Sequence, residues 1–177
     1  LLAKAWAENN FKEIALLYKK TALNQMLIGL FIFLGIWMNL DDLLLFVSNE
    51  YSDIQMVFFY IGLAKLIDVS VGVNGAIIST SNKFKYDLYI NLLLIIVTIL
   101  SNMVFIPIYG IEGAAIATAL ALLIHNTVKT IVVYSYFSIL PFSLNSMKLL
   151  IIGFVTYFLL LLIPFSMIES TILRIVI

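Results

Sequence analysis

Apolar and polar positions alternate along this chain on the scale of whole helices. Five apolar runs, residues 22–40, 55–78, 88–108, 111–137 and 149–165, are separated by short polar stretches. At 1.5 Å rise per residue, about 20 helical residues cross the roughly 30 Å hydrocarbon core of a bilayer. Each run meets or nearly meets that length. The pattern predicts an all-α fold, a polytopic transmembrane helical bundle of antiparallel hairpins with no soluble domain. Pro107 is expected to close the third span, because proline cannot continue the hydrogen-bond ladder, and Gly110 to make the sharp turn into the fourth. Ahead of the first span, Leu2, Trp6, Phe11, Ile14, Leu17 and Tyr18 stand among charged neighbours. Residues 1–21 therefore read as an amphipathic connector, suited either to the membrane interface or to a solvated link between spans. Residues 166–177 read as an outer turn and the start of a further helix. The chain opens on Leu1, and both ends are read as cuts in a longer protein.

The placement of charge gives this topology a direction. Lys4, Lys12, Lys19 and Lys20 precede the first run, Lys83 and Lys85 sit in the second turn, and Lys148 precedes the last run. The alternating turns hold Asp41, Asp42, Glu50, Asp53, Glu112 and Glu169. Basic residues favour the cytoplasmic side, so residues 1–21, 79–87 and 139–148 are expected there. Tyr51, Tyr60 and Tyr109 toward the outside, with Tyr86, Tyr89, Tyr134 and Tyr136 toward the inside, fit interfacial aromatic belts. Composition agrees: 63% of residues are hydrophobic and 11% charged, and mean hydropathy is +1.12, against roughly half apolar and a quarter charged for a soluble domain. A net charge of zero offers no pointer to nucleic acid. With no cysteine and one histidine, disulfides, thiolate chemistry and a histidine metal cluster are excluded within this sequence.

Few residues here carry chemistry. Lys65 and Asp68 fall near the middle of the second run, where a charged side chain costs roughly 2.5–3.5 kcal/mol. Their spacing puts them on one helical face, continued by Gly72, Gly75 and Ser79. Such a pair either neutralises itself and fixes packing or lines an aqueous cavity. On the fourth run, Ala114, Thr118, Ala121, His125 and Lys129 form a matching stripe. His125 is the one side chain with an unperturbed pKa in the physiological range, and Lys129 lies near enough to the cytoplasmic end to snorkel. Both runs lead inward, so Asp68 and His125 are expected at equal depth and in contact. Asn91, Thr98 and Asn102 share a face of the third run and suit interhelical hydrogen bonds. Gly110, Gly113, Ala114, Ala115, Ala117, Ala119 and Ala121 crowd the start of the fourth, as close helix packing in lipid requires. Nucleotide-binding, zinc-hydrolase and nucleophile-elbow motifs are absent from the sequence, and Asp41-Asp42 lacks a second carboxylate cluster. No enzymatic activity, cofactor or metal is expected.

The segment Asn102-Met-Val-Phe-Ile-Pro107-Ile-Tyr-Gly110-Ile-Glu-Gly113-Ala-Ala-Ile-Ala-Thr118 resembles a signature of the multidrug/oligosaccharidyl-lipid/polysaccharide exporter superfamily. That signature, Asn…Ile-Pro-x-Tyr-Gly-x-x-Gly-Ala-Ala-x-Ala-Thr, belongs to a hairpin between two late helices. Asn74-Gly75 with Ser81-Asn-Lys83-Phe-Lys85 is similar to the family's pattern at a helix end and cytoplasmic turn. Ala5-Trp6 through Tyr18-Lys19-Lys20 is similar to its connector into the second bundle. The resemblance runs from Leu1 to about Phe165 and is closest to polysaccharide biosynthesis proteins of the O-antigen flippase kind. It implies the second bundle of a MATE-like flippase fold in the bacterial cytoplasmic membrane, with the first bundle in the missing N-terminal half. It further implies alternating-access transport of a polyprenyl-pyrophosphate-linked oligosaccharide, with Lys65 and Lys129 as candidate phosphate partners. A cation-coupled multidrug exporter, a non-transporting assembly subunit and a membrane-embedded transferase remain as alternatives.

Overall fold

Helices account for all the regular structure in the computed structural model, which describes residues 1–40, 44 and 54–162. They are α1 (Leu2–Ala7), α2 (Phe11–Met38), α3 (Gln55–Ser70), α4 (Asn74–Ser79), α5 (Phe84–Phe137) and α6 (Leu144–Leu162). Asp41, Asp42, Glu50, Tyr51, Asp53, Glu169 and the expected outer turn over 166–177 lie outside the described residues. Among those residues, α2, α5 and α6 are each long and apolar enough to cross a membrane. The chain is thus a polytopic, all-α membrane bundle.

The longest helix is two in one. Gly110 takes φ 59° and ψ −130°, outside helical geometry, and divides α5 into arms 84–109 and 111–137. The arms fold back on each other: a Cβ at Gly113 would overlap the Phe105 carbonyl, and Ser101 Oγ lies 3.4 Å from the Ala117 carbonyl oxygen. Only a residue without a side chain permits that approach. Pro107 does not end the third span as expected. It stays inside the first arm, and the helix runs on to Gly110.

The second apolar run is not one helix. Gly72, with φ 64°, interrupts it between α3 and α4, where a Cβ would come within 2.9 Å of the Ala22 backbone nitrogen. The expected stripe from Lys65 to Ser79 is therefore divided between two helices. At 16 residues, α3 is about 24 Å long and short of the bilayer core by itself. The connector also differs from expectation. It divides at Asn9, φ 52°, and α2 starts at Phe11 and continues unbroken into the first span. Asn10 caps α2 reciprocally, its Oδ1 accepting the Glu13 N–H and its Nδ2 donating to Glu13 Oε2, both at 3.1 Å. Lys148 was expected in a turn; it lies within α6, which begins at Leu144 because Ser143 Oγ accepts the Ser146 N–H.

Antiparallel α2 and α3 meet through small residues. Gly29 packs on Val69 and Leu66, Gly62 on Phe33, and the Trp37 and Phe59 rings stand 4.9 Å apart. α6 lies on α2, with Gly153 against Leu30. The densest core is at the end where α1, α4 and the last turns of α5 converge, around Ile14, Tyr18, Ile77, Ile78 and Val133. Elsewhere large apolar side chains face outward, among them Phe31, Met103, Ile108 and Phe154. A bilayer solvates that surface; water would not.

Candidate functional site

The Gly72 break interrupts the backbone between α3 and α4 and gathers polar groups around it. On α3, Asp68 Oδ1 accepts a hydrogen bond from Asn126 Nδ2 at 2.9 Å. Asn126 Oδ1 in turn accepts from Asn74 Nδ2 at 3.5 Å, and Asn74 Oδ1 accepts the Gly75 N–H at 2.6 Å, closing the first residues of α4. Both asparagines are buried. A second chain of contacts crosses the two arms of α5. Lys129 Nζ lies 3.0 Å from Asp87 Oδ1, Asn91 Nδ2 donates to Asp87 Oδ2 at 3.4 Å, and His125 Nε2 donates to Asn91 Oδ1 at 3.2 Å. That last bond places a proton on Nε2 and leaves His125 Nδ1 buried without a hydrogen-bond partner among the described residues. The two chains meet at Gly75, whose Cβ position is 3.0 Å from Lys129 Nζ; the missing side chain is what admits the ammonium.

These residues border a cleft of about 420 Å³, walled on the other side by Gln25, Ile28, Gly29 and Ile32 of α2. Asp68, His125 and Lys129 all line it, together with Asn74 and Asn126. Asp68 and His125 do not bond directly, contrary to expectation. Asn126, one position further along the helix, takes the Asp68 carboxylate, while His125 turns to the first arm of α5. Nor does Lys129 snorkel to the surface, since it is 9% exposed and paired with Asp87.

Lys65 stands apart. Its ammonium is 3.8 Å from Asp68 Oδ2, and its side chain is 65% exposed. It lines a separate, apolar groove of about 340 Å³ between α2 and α3, with Phe33, Trp37 and Phe58 among its walls. Of the small residues expected to pack helices, Gly113, Ala115, Ala117 and Ala121 are buried and Ala114 half-buried, while Gly110 is exposed at the hairpin tip. Asn74, Asp87 and Asn126 were not singled out by sequence as parts of a site. Asp87 and Asn91 are four apart on one arm, as are Lys129 and His125 on the other, and each pair in contact is offset by the same four residues in its distance from Gly110. Folding the chain at that glycine brings the pairs opposite each other.

Chemically, the cleft offers a carboxylate, an ammonium already balanced by a second carboxylate, an imidazole and two amides inside an apolar bundle. It can bind polar or charged groups. No protein family, curated protein or solved structure was found to match this chain.

Proposed function

We propose that this chain forms the second helix bundle of a flippase that carries a polyprenyl-pyrophosphate-linked oligosaccharide across the bacterial cytoplasmic membrane. The cycle is alternating access, the product serves cell-surface polysaccharide assembly, and the first bundle of the same protein faces the cleft. The observation that carries this reading is the polar cleft at the broken α3–α4 helix. Irregular backbone at membrane depth is tolerated where it is buried in protein or lines a cavity, and interrupted helices build transporter sites. The resemblance of residues 102–118 to the exporter signature adds the superfamily, and it falls on the Gly110 hairpin. Lysine binds phosphate as a point charge. Lys129 lines the cleft with its charge balanced by Asp87, and Lys65, largely exposed, offers a cation at the edge of the apolar groove, an arrangement suited to an anionic group with a hydrocarbon tail.

The test replaces Lys65 with methionine in cells whose surface polysaccharide depends on the protein. The expected result is normal abundance in the membrane with surface polysaccharide reduced roughly tenfold or more, the factor equivalent to about 1.4 kcal/mol. Normal abundance with normal polysaccharide overturns the substrate role. Asp68 and Asp87 favour one runner-up, a cation-coupled multidrug exporter. For that reading the same variants would alter efflux of a cationic dye and leave polysaccharide untouched.

A further inference from the structure

A second cleft lies apart from the mid-bundle cluster, at the end where the lysine-bearing segments converge. It holds about 320 Å³ and draws its walls from three places: the α1–α2 junction, residues 80–83 ahead of α5, and the last residues of α5. Its shape follows from local structure. Asn9 adopts φ 52°, a left-handed conformation that asparagine tolerates better than most residues. That kink folds α1 back so that the Trp6 ring meets Phe11 edge-on at 5.7 Å and Phe137 at 4.8 Å. In the facing turn, the Thr80 and Ser81 hydroxyls donate to the Ala76 and Ile78 carbonyls, and Ser81 Oγ accepts the Lys83 N–H. The turn is thereby fixed, and Lys83 Nζ is held 4.6 Å from the centroid of the Tyr136 ring.

The donors around this cleft lack acceptors. The Trp6 indole N–H is buried and unpartnered, and neither the side-chain amides of Asn9 and Asn82 nor the Lys83 ammonium has a protein acceptor among the described residues. No acidic residue lines the cleft. Indole and ammonium groups donate only, and a buried donor without an acceptor is costly. Of these donors only the Trp6 N–H is buried, while Lys83 is half-buried and Asn9 and Asn82 are exposed; with no acid in the lining to compete, the open donors and the lysine between aromatic walls suit an anionic oxygen cluster. We propose that this cleft binds the phosphate of an anionic phospholipid headgroup in the adjoining leaflet. The lipid is favoured over free phosphate by placement: Trp6, Phe11 and Tyr136 sit at the end of membrane-crossing helices, where aromatic rings meet headgroups. Lysine clusters at such ends attract anionic lipid, and Lys4, Lys12 and Lys85 lie near in sequence to the lining residues. The inference is independent of what the mid-bundle cleft carries.

The test uses the full chain in detergent micelles with Trp37→Phe, which leaves Trp6 as the single indole. Phosphatidylglycerol, phosphatidylcholine and inorganic phosphate are titrated separately while Trp6 emission and unfolding temperature are followed. Phosphatidylglycerol is expected to shift both at concentrations where phosphatidylcholine and inorganic phosphate do not. Lys83→Gln should weaken that response roughly tenfold or more, whereas Lys148→Gln, the same charge change on an exposed residue of α6 outside the cleft, should not. Trp6→Phe, read by unfolding temperature alone, keeps the ring, removes the N–H and should weaken the response as well. If Lys83→Gln fails to fold, Asn82→Ala serves in its place. An equal response to phosphatidylcholine, an equal response to inorganic phosphate, or an undiminished response in the cleft variants each overturns the proposal. None of the headgroup-cleft variants touches the mid-bundle cleft, and Trp37→Phe, at a residue lining the Lys65 groove, is their common background, so lipid binding and transport are each compared with that background and remain separable.

Discussion

At the scale of single residues, Lys129 and Asp87 set the electrostatics of the bundle. Taking an ammonium and a carboxylate out of water costs several kcal/mol each, and their 3.0 Å contact offsets this only while both are present. Lys129→Met leaves Asp87 with an uncompensated charge and is expected to destabilise by about 3–5 kcal/mol. Adding Asp87→Asn should recover most of that loss. Unfolding of the purified variants in detergent checks this, and additive losses in the double variant would mean the pair is not coupled. Lys65→Met should cost no more than about 1 kcal/mol, because the 3.8 Å pair is largely exposed and Asp68 keeps its bond from Asn126. Sequence pointed to Asp68, His125 and Lys129, since charge in an apolar run stands out. It did not point to Asn74, Asn126 or Asp87. The two asparagines carry no charge to mark them, and Asp87 reads as an ordinary acid in a polar turn until the hairpin places it opposite Lys129.

At the scale of elements, two glycines with positive φ divide apolar runs that otherwise look alike. The hairpin at Gly110 was legible because proline and glycine punctuate the sequence there and charge returns at Glu112. The break at Gly72 was not. The run over 55–78 stays apolar throughout, and Gly72 falls on a helical spacing from Lys65 and Asp68 that fits an unbroken helix equally well. What requires glycine at the break is tertiary as well as conformational: its φ is 64°, and Ala22 of α2 occupies the space a Cβ would need. The hairpin glycines should separate conformation from packing. Gly110→Ala meets open space, so its cost is the backbone alone, held at φ 59° and ψ −130° where side chains are rarely tolerated, about 1–3 kcal/mol. Gly113→Ala collides with the Phe105 carbonyl and must part the arms, which also pulls Lys129 from Asp87. Unfolding midpoints should fall further for Gly113→Ala than for Gly110→Ala; the reverse order would mean the arms do not pack as described.

At the scale of the whole molecule, the two ends of the bundle differ in character, and that difference predicts an orientation in the membrane. One end gathers Trp6, the 80–83 turn, Lys83 and Lys85, and Tyr86 hydrogen-bonded to Tyr136. The other carries the Gly110 hairpin with Tyr109 and Glu112. Lysines on one side only are held in the cytoplasm during insertion, while acidic residues cross more freely. The expected topology therefore puts the 80–83 turn inside and the Gly110 hairpin outside. The absence of cysteine lets this be read without background. Asn82→Cys and Tyr109→Cys both place the thiol at an exposed position, one at each end. In intact cells a membrane-impermeant maleimide should label the cysteine at 109 and spare the one at 82, which becomes reactive only after permeabilisation. Labelling at 82 in intact cells reverses the orientation and moves the headgroup cleft to the outer leaflet. Labelling at both positions in intact cells would mean the α5 arms do not cross the membrane, and the mid-bundle cleft would then lie outside the bilayer.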